Sequence, residues 1–134
     1  MEDRELLDRA RAARDHAHAP YSGFAVGAAL ETADGRVFTG VNVENASIGL
    51  SVCAERNAVA AAVAAGARDF RTLAIVTDAP EPTMPCGVCR QVLWEFGEDL
   101  RVLVGTVDGH VAETTLRELY PKPFTSYETT VNDH

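Results

Sequence analysis

The sequence predicts an α/β protein, a three-layer α/β/α sandwich around a mixed five-stranded sheet, and three observations predict it. Two alternating stretches, 24–32 and 36–43, flank Ala33-Asp34-Gly35, the pattern of a hairpin. Two later stretches, 71–77 and 100–107, are almost continuously apolar, as in strands buried on both faces. Helix-period segments precede the hairpin and alternate with the later strands, which is the element order of a layered sandwich with a mixed sheet.

Residues 2–18 read as the first helix. Leu6, Ala10, Ala13 and Ala17 recur at helical spacing with charges on the other faces, and Pro20-Tyr21-Ser22-Gly23 breaks the pattern. His16 and His18 read as solvated residues near its C-terminus. In the first strand Phe24, Val26, Ala28 and Leu30 share one face. A two-residue Asp-Gly turn places Ala25 opposite Glu44. The favoured three-residue loop, with Gly35 left-handed, places Phe24 opposite Glu44 and Val26 opposite Asn42. In either register Asn42 and Glu44 share a face.

Residues 44–51 form an Asn- and Ser-rich loop. The alanine-rich helix 53–66 ends on Gly66 and packs closely on the sheet. After strand 71–77 comes a loop, 78–85, with three prolines, and then helix 87–97 with Val88, Val92, Leu93 and Phe96 as its inner stripe. Trp94 reads as core. Strand 100–107 is followed by a turn at Asp108-Gly109, a short strand 110–113, a short helix 116–120 and a polar, extended tail from Pro121 to His134.

A chain of 134 residues makes one domain, burying roughly two-thirds of its unfolded surface. Its net charge of −8 and the absence of a basic run exclude a polynucleotide ligand. Eleven of the twelve basic residues are arginine, Lys122 being the exception, and nothing in the sequence explains that bias. The acidic start Met1-Glu2-Asp3 is unlike a signal peptide, and no apolar run is long enough to span a bilayer. Three cysteines, an odd number, point to a reducing compartment, so the chain is expected in the cytoplasm with its thiols free to hold metal.

Those cysteines carry the chemistry. Cys86 and Cys89 form a C-x-x-C pair, and Cys53, with Glu55 two positions on, stands 33 residues before Cys86. Three thiolates can share one tetrahedral zinc ion with a fourth position open, as catalytic zinc sites require. Cys53 and Cys86 fall at predicted helix starts, where free amides favour thiolates. A glutamate beside such an ion can move protons without being a ligand, and Cys-x-Glu followed by Pro-Cys-x-x-Cys is the zinc deaminase pattern. Three thiolates on a dication leave a charge of −1. Arg56 and Arg90, one beside each cysteine segment, are placed to offset it, and Gln91 to donate to a thiolate. A structural site of three cysteines and one of the four histidines would leave Glu55 unexplained.

The chain resembles the small zinc cytidine deaminases of the homotetrameric type along nearly its whole length. The matching segments are Pro20–Leu30, Thr39–Ala46, Cys53-Ala54-Glu55-Arg56 and Pro85-Cys86-Gly87-Val88-Cys89-Arg90-Gln91. The resemblance implies one Zn²⁺ per subunit on Cys53, Cys86 and Cys89, and Glu55 as proton shuttle. It implies that Asn42 and Glu44 bind the ribose hydroxyls of a nucleoside, that Phe24 packs against it, and that the backbone of Ala54 holds the pyrimidine. The carbonyl of Met84 would accept from the leaving amino group. Phe124 would close over the base of a neighbouring subunit, with residues from about 121 onward as an extension in a homotetramer of shared sites. Ile48 departs from the pattern, since the family often has an aromatic there. Two alternatives stay open: an aminonucleoside-antibiotic deaminase of the blasticidin type, in which the Asn42/Glu44 pair is not expected, and a non-catalytic zinc or RNA-editing module, against which Glu55 and the charge argue.

Overall fold

The computed structural model of the protein describes residues 1–125. The expectations for the remainder of the tail, 126–134, lie outside the described residues. The elements in chain order are α1 (Asp3–Arg14), β1 (Val26–Thr32), β2 (Val37–Val41), α2 (Ala54–Ala64), β3 (Phe70–Thr77), α3 (Gly87–Trp94), β4 (Arg101–Thr106), β5 (Val111–Thr115) and α4 (Leu116–Leu119). A single 3₁₀ turn, Ile48–Leu50, interrupts the loop before α2. The five strands form one sheet in the order β2-β1-β3-β4-β5. Among the described strands only the β3/β4 pair is parallel; the β1/β2, β1/β3 and β4/β5 pairs are antiparallel.

Two helices are shorter than their sequence patterns suggest. α1 stops at Arg14, and His18 joins the sheet margin instead: its N–H donates to Asn42 O at 2.9 Å and its carbonyl accepts from Glu44 N at 2.8 Å. α3 stops at Trp94, and Val88, expected to face inward, is exposed; Cys89 and Leu93 are its buried positions. Hydrophobic periodicity cannot separate a partly apolar outer position from an inner one when the helix is only two turns long.

The hairpin has the three-residue loop. Thr32 N–H donates to Arg36 O at 2.9 Å, Gly35 N–H donates to Thr32 O at 3.0 Å, and Gly35 is left-handed with φ +87°. Glu31 therefore pairs with Val37, and the same register carries on to Val26 and Asn42. This register sets which side chains meet at the open end of the sheet.

Both faces of the sheet are covered. α1 packs Leu6 and Ala10 against Ala29, Ala74, Val76 and Leu103. α2 and α3 cover the opposite face, burying Ala54, Ala58, Ala62 and Leu93 against Ala28, Leu30, Leu73, Ile75, Val102 and Val104. Two glycines permit the close approach. A Cβ on Gly27 would lie 2.0 Å from Ala10 O in α1, and one on Gly40 would lie 2.3 Å from Ala54 O and 2.4 Å from Ala58 N in α2. α2 thus rests its first turn directly on β2, and the Asn57 amide fixes it there, donating to Val41 O at 2.7 Å. Trp94 is half-buried against the second core, edge-on to Tyr120 and under the Arg117 guanidinium. Among the described residues no helix is long and apolar enough to cross a membrane.

Candidate active site

The loop between β2 and α2 brings Cys53 to the sheet. Val43 and Val52 pair through two backbone hydrogen bonds of 2.9 Å, an antiparallel bridge that delivers Cys53 to the position just before α2. The loop after β3 does the same for Cys86. Each residue is extended and caps its helix: Cys53 O accepts from Asn57 N at 3.1 Å, and Cys86 O accepts from Arg90 N at 3.0 Å. The two thiols therefore lie over helix N-termini, where unpaired amides and the helix dipole favour negative charge. Cys89 lies one turn into α3 and is wholly buried.

The three Sγ atoms lie within 4.8 Å of one another, with Cys86 and Cys89 3.5 Å apart. Sulfurs at the corners of a zinc tetrahedron, with arms of about 2.3 Å, are roughly 3.8 Å apart. The trio fits such an ion, and its electrostatics call for one. The Cys53 thiol is held down to about 5, chiefly by a hydrogen bond from Cys89 and, against the cost of burial, by the Arg56 guanidinium. The Cys89 thiol is pushed up by that same hydrogen bond and by burial. One negative charge is at home on Cys53, whereas a second on Cys89 needs a cation.

Glu55 occupies the first turn of α2 beside Cys53 and is only 6% exposed. Burial raises its pKa, and the Cys53 charge adds to that. A carboxyl that binds a proton readily beside an anionic metal site is suited to carrying protons.

Arg56 lies against Cys53. Its Nη2 donates to Cys53 Sγ at 3.8 Å and to Ser51 O at 3.3 Å, while its buried Nε has no hydrogen-bond acceptor among the described residues. Arg90 and Gln91 are placed differently from the expectation of contact with sulfur. Arg90 Nε donates to Pro85 O at 2.7 Å and Nη1 to Leu119 O at 2.9 Å. Gln91 Nε2 donates to Phe124 O at 2.9 Å, and its Oε1 accepts from the Tyr120 hydroxyl and from Phe124 N at 3.4 Å. Both side chains fasten the C-terminal segment and the proline loop to α3. Backbone carbonyls that no strand or helix satisfies compete for these donors, a demand that sequence spacing does not reveal.

A cleft of about 300 Å³ opens beside the cysteines. Phe24, Asn42, Glu44, Cys53, Ala54, Glu55, Met84 and Cys86 line it together with Ser22, Val26, Ser51, Val52, Ile75, Thr77 and Thr83. Asn42 is buried and partly committed: Oδ1 accepts from Val26 N at 2.9 Å, and Nδ2 donates to Phe24 O at 2.7 Å. Each amide end keeps one further hydrogen-bonding position. Hydrogen bonds from the Ser22 hydroxyl and from backbone N–H groups hold the Glu44 carboxyl below the usual carboxylate range. Ala54 is fully buried at the first position of α2, among the N–H groups that lack an intrahelical partner. Phe124 is half exposed, held by Gln91, and does not line the cleft of its own chain. Ile48 is 81% exposed, beside exposed Leu50 and near Tyr21. The lining residues that sequence reasoning had given no role are mostly strand ends and loop hydroxyls. Only Ser22, within a turn directly before a strand, had a local signal.

The sequence matches the family model described as the cytidine and deoxycytidylate deaminase zinc-binding region over residues 1–106. A curated cytidine deaminase of Halalkalibacterium halodurans is 46% identical over 94% of this chain and 96% of its own length. A solved cytidine deaminase structure from Burkholderia pseudomallei superposes with a TM-score of 0.90 at 49% identity, covering 92% of this chain and all of the other. A more distant curated relative, the blasticidin-S deaminase of Bacillus cereus, is 36% identical over 75% of this chain and 76% of its own length. With the cysteine trio, the adjoining buried glutamate and the five-stranded sheet all in place, the chain belongs to the cytidine and deoxycytidylate deaminase family.

Proposed function

We propose that this protein hydrolyses cytidine and 2′-deoxycytidine to uridine and 2′-deoxyuridine with release of ammonia, in pyrimidine salvage in the cytoplasm. The observation that carries the reading is the content of one cleft. It joins sulfurs spaced to hold a metal, the buried carboxyl of Glu55, and the Asn42 amide beside the Glu44 carboxylate, and no Lys, Arg or His lines it among the described residues. A phosphorylated substrate would ask for such a cation, so the free nucleoside fits better than the nucleotide.

Cys53, Cys86 and Cys89 hold the zinc ion, which when bound supplies a Lewis acid that makes water nucleophilic near neutral pH. Glu55 takes a proton from the attacking water and gives it to N3 of the pyrimidine as the new C–O bond forms at C4. Glu55 then takes the remaining water proton from the new C4 hydroxyl and delivers it to the exocyclic nitrogen; C4=O forms, the C4–N bond breaks and ammonia leaves, so both protons of the water are accounted for. Arg56 withdraws charge from Cys53. The Ala54 N–H and the Met84 carbonyl orient the ring, the latter accepting from the amino group, and Phe24 packs against the nucleoside. Asn42 and Glu44 bind sugar hydroxyls. In a homotetramer Phe124, in the segment after α4, closes over the base of a neighbouring subunit. The exposed apolar side chains Tyr21, Ile48 and Leu50 supply surface for such contacts.

The test is an ultraviolet assay of cytidine, 2′-deoxycytidine, cytosine, CMP and blasticidin S. The two nucleosides should be turned over well. Cytosine lacks the sugar that Asn42 and Glu44 bind, and CMP brings a phosphate to a cleft with two carboxylates. Preferential turnover of CMP or blasticidin S would overturn the reading.

A further inference from the structure

The Glu44 carboxylate does not meet the cleft bare. Oε1 accepts from Tyr21 N at 3.0 Å and Ser22 N at 3.1 Å, and Oε2 accepts from the Ser22 hydroxyl. A carboxylate offers about four lone-pair positions. Both on Oε1 and one on Oε2 are filled, which leaves a single acceptor position on Oε2. The direction of the serine hydroxyl is set from behind: Phe24 N–H donates to Ser22 Oγ at 3.0 Å, so the hydroxyl proton is free to point at Glu44. The turn that presents Ser22 is itself fixed, with Gly23 left-handed at φ +70° and its N–H on Ala19 O at 2.9 Å. Glu44 is held at its backbone by His18. Ser22 thus sits between two groups that line the cleft, the Phe24 segment and the Glu44 carboxylate.

We propose that Ser22 is a positioning residue for sugar recognition: its hydroxyl fixes the orientation of the Glu44 carboxylate and leaves it one outward acceptor for a sugar hydroxyl. The proposal rests on the reading that Glu44 meets the sugar. Without the serine hydroxyl, Glu44 keeps its charge and its two backbone donors, but Oε2 can turn and take water at two positions. The loss then falls on binding, because the sugar contact is unchanged between ground and transition states.

The experiment compares Ser22→Ala, Ser22→Thr, Glu44→Ala and the Ser22→Ala/Glu44→Ala double variant, on cytidine and on 2′,3′-dideoxycytidine, as KM or as inhibition constant against cytidine. Ser22→Ala should raise KM for cytidine about threefold to tenfold with kcat within about twofold, the pattern of lost uniform binding. Ser22→Thr, which keeps a hydroxyl, should restore most of the loss. The dideoxy compound offers no hydroxyl to Glu44, so Ser22→Ala should leave its binding nearly unchanged. The double variant should bind cytidine no worse than Glu44→Ala alone. Ser22→Gly removes the same hydroxyl and replaces Ser22→Ala if that variant is unstable. An equal loss on both substrates would make Ser22 a structural turn residue and overturn the proposal. So would an unchanged KM in Ser22→Ala alongside a raised one in Glu44→Ala. If Glu44→Ala itself binds cytidine normally, the sugar reading fails and the proposal fails with it.

Discussion

Glu55 and Arg56 share one helical turn and act on the same cysteine from opposite sides of the charge balance. Burial raises the pKa of Glu55, whereas Arg56 stabilises the thiolate of Cys53. Glu55→Gln keeps the size and hydrogen-bonding shape of the side chain but cannot carry a proton. It should retain zinc and fold while losing about 10²–10⁴-fold in rate, the usual worth of general acid–base catalysis; metal content and turnover measured on one sample decide it. Arg56→Gln removes a charge that lowers the Cys53 titration. In protein stripped of metal, Cys53 should titrate near 5 and the variant above that, since losing a group that favours the thiolate raises the pKa. Thiolate absorbance against pH reads this directly. In the loaded enzyme the same substitution should move the rising limb of the pH–rate profile to more alkaline pH. A profile superimposable on wild type would remove Arg56 from the charge balance.

At the scale of elements, the site depends on how closely α2 approaches the sheet. Gly40 in β2 lies under the first turn of α2, and a methyl group there would collide with backbone atoms of Ala54 and Ala58 that no rotamer change can move aside. Gly40→Ala should therefore displace the helix that carries Cys53 and Glu55, at a cost of about 1–3 kcal/mol or more. A lowered Tm together with weakened zinc retention is the expected signature. Gly27→Ala is the control. It collides equally with α1, which carries none of the cysteines, so the Tm should fall while the folded fraction keeps its zinc. The hairpin was legible at this scale because Ala-Asp-Gly permits few loops. The lengths of α1 and α3 were not: after Arg14 the N–H groups of 15–17 bond i−3 carbonyls and His18 pairs with the 42–44 segment, and after Trp94 the Phe96 N–H closes on Leu93 O.

For the whole molecule, a metal held by Cys53, Cys86 and Cys89 would tie together two helices that approach the same end of the sheet from separate crossovers. A ligand that binds only the folded state adds stability in proportion to the logarithm of its concentration over its Kd. Chelation should therefore abolish turnover and lower the Tm together, and added zinc should restore both. A metal-free protein with an unchanged Tm would show that α2 and α3 hold their places without the ion. The proposed homotetramer has its own measurement, an expected light-scattering mass of four times the 14.4 kDa chain.

The sequence by itself picked out the cysteine trio, the glutamate beside it and the strand-and-helix order. Cys-x-Glu and Pro-Cys-x-x-Cys are local patterns whose chemistry follows from residue type and spacing, and the alternation of strands 24–32 and 36–43 follows from the two-residue period of the pleat. Tertiary structure alone decided which donors reach sulfur. Arg56 does, because its helix turn faces Cys53; Arg90 and Gln91 do not, because carbonyls of Pro85, Leu119 and Phe124, brought close only by folding, take their hydrogen bonds. It also decided that Ser22 stands behind Glu44, 22 residues away in the chain. A polar side chain's partner is set by whichever unpaired backbone or side-chain group folding brings within reach, and that neighbour exists only once the backbone is folded.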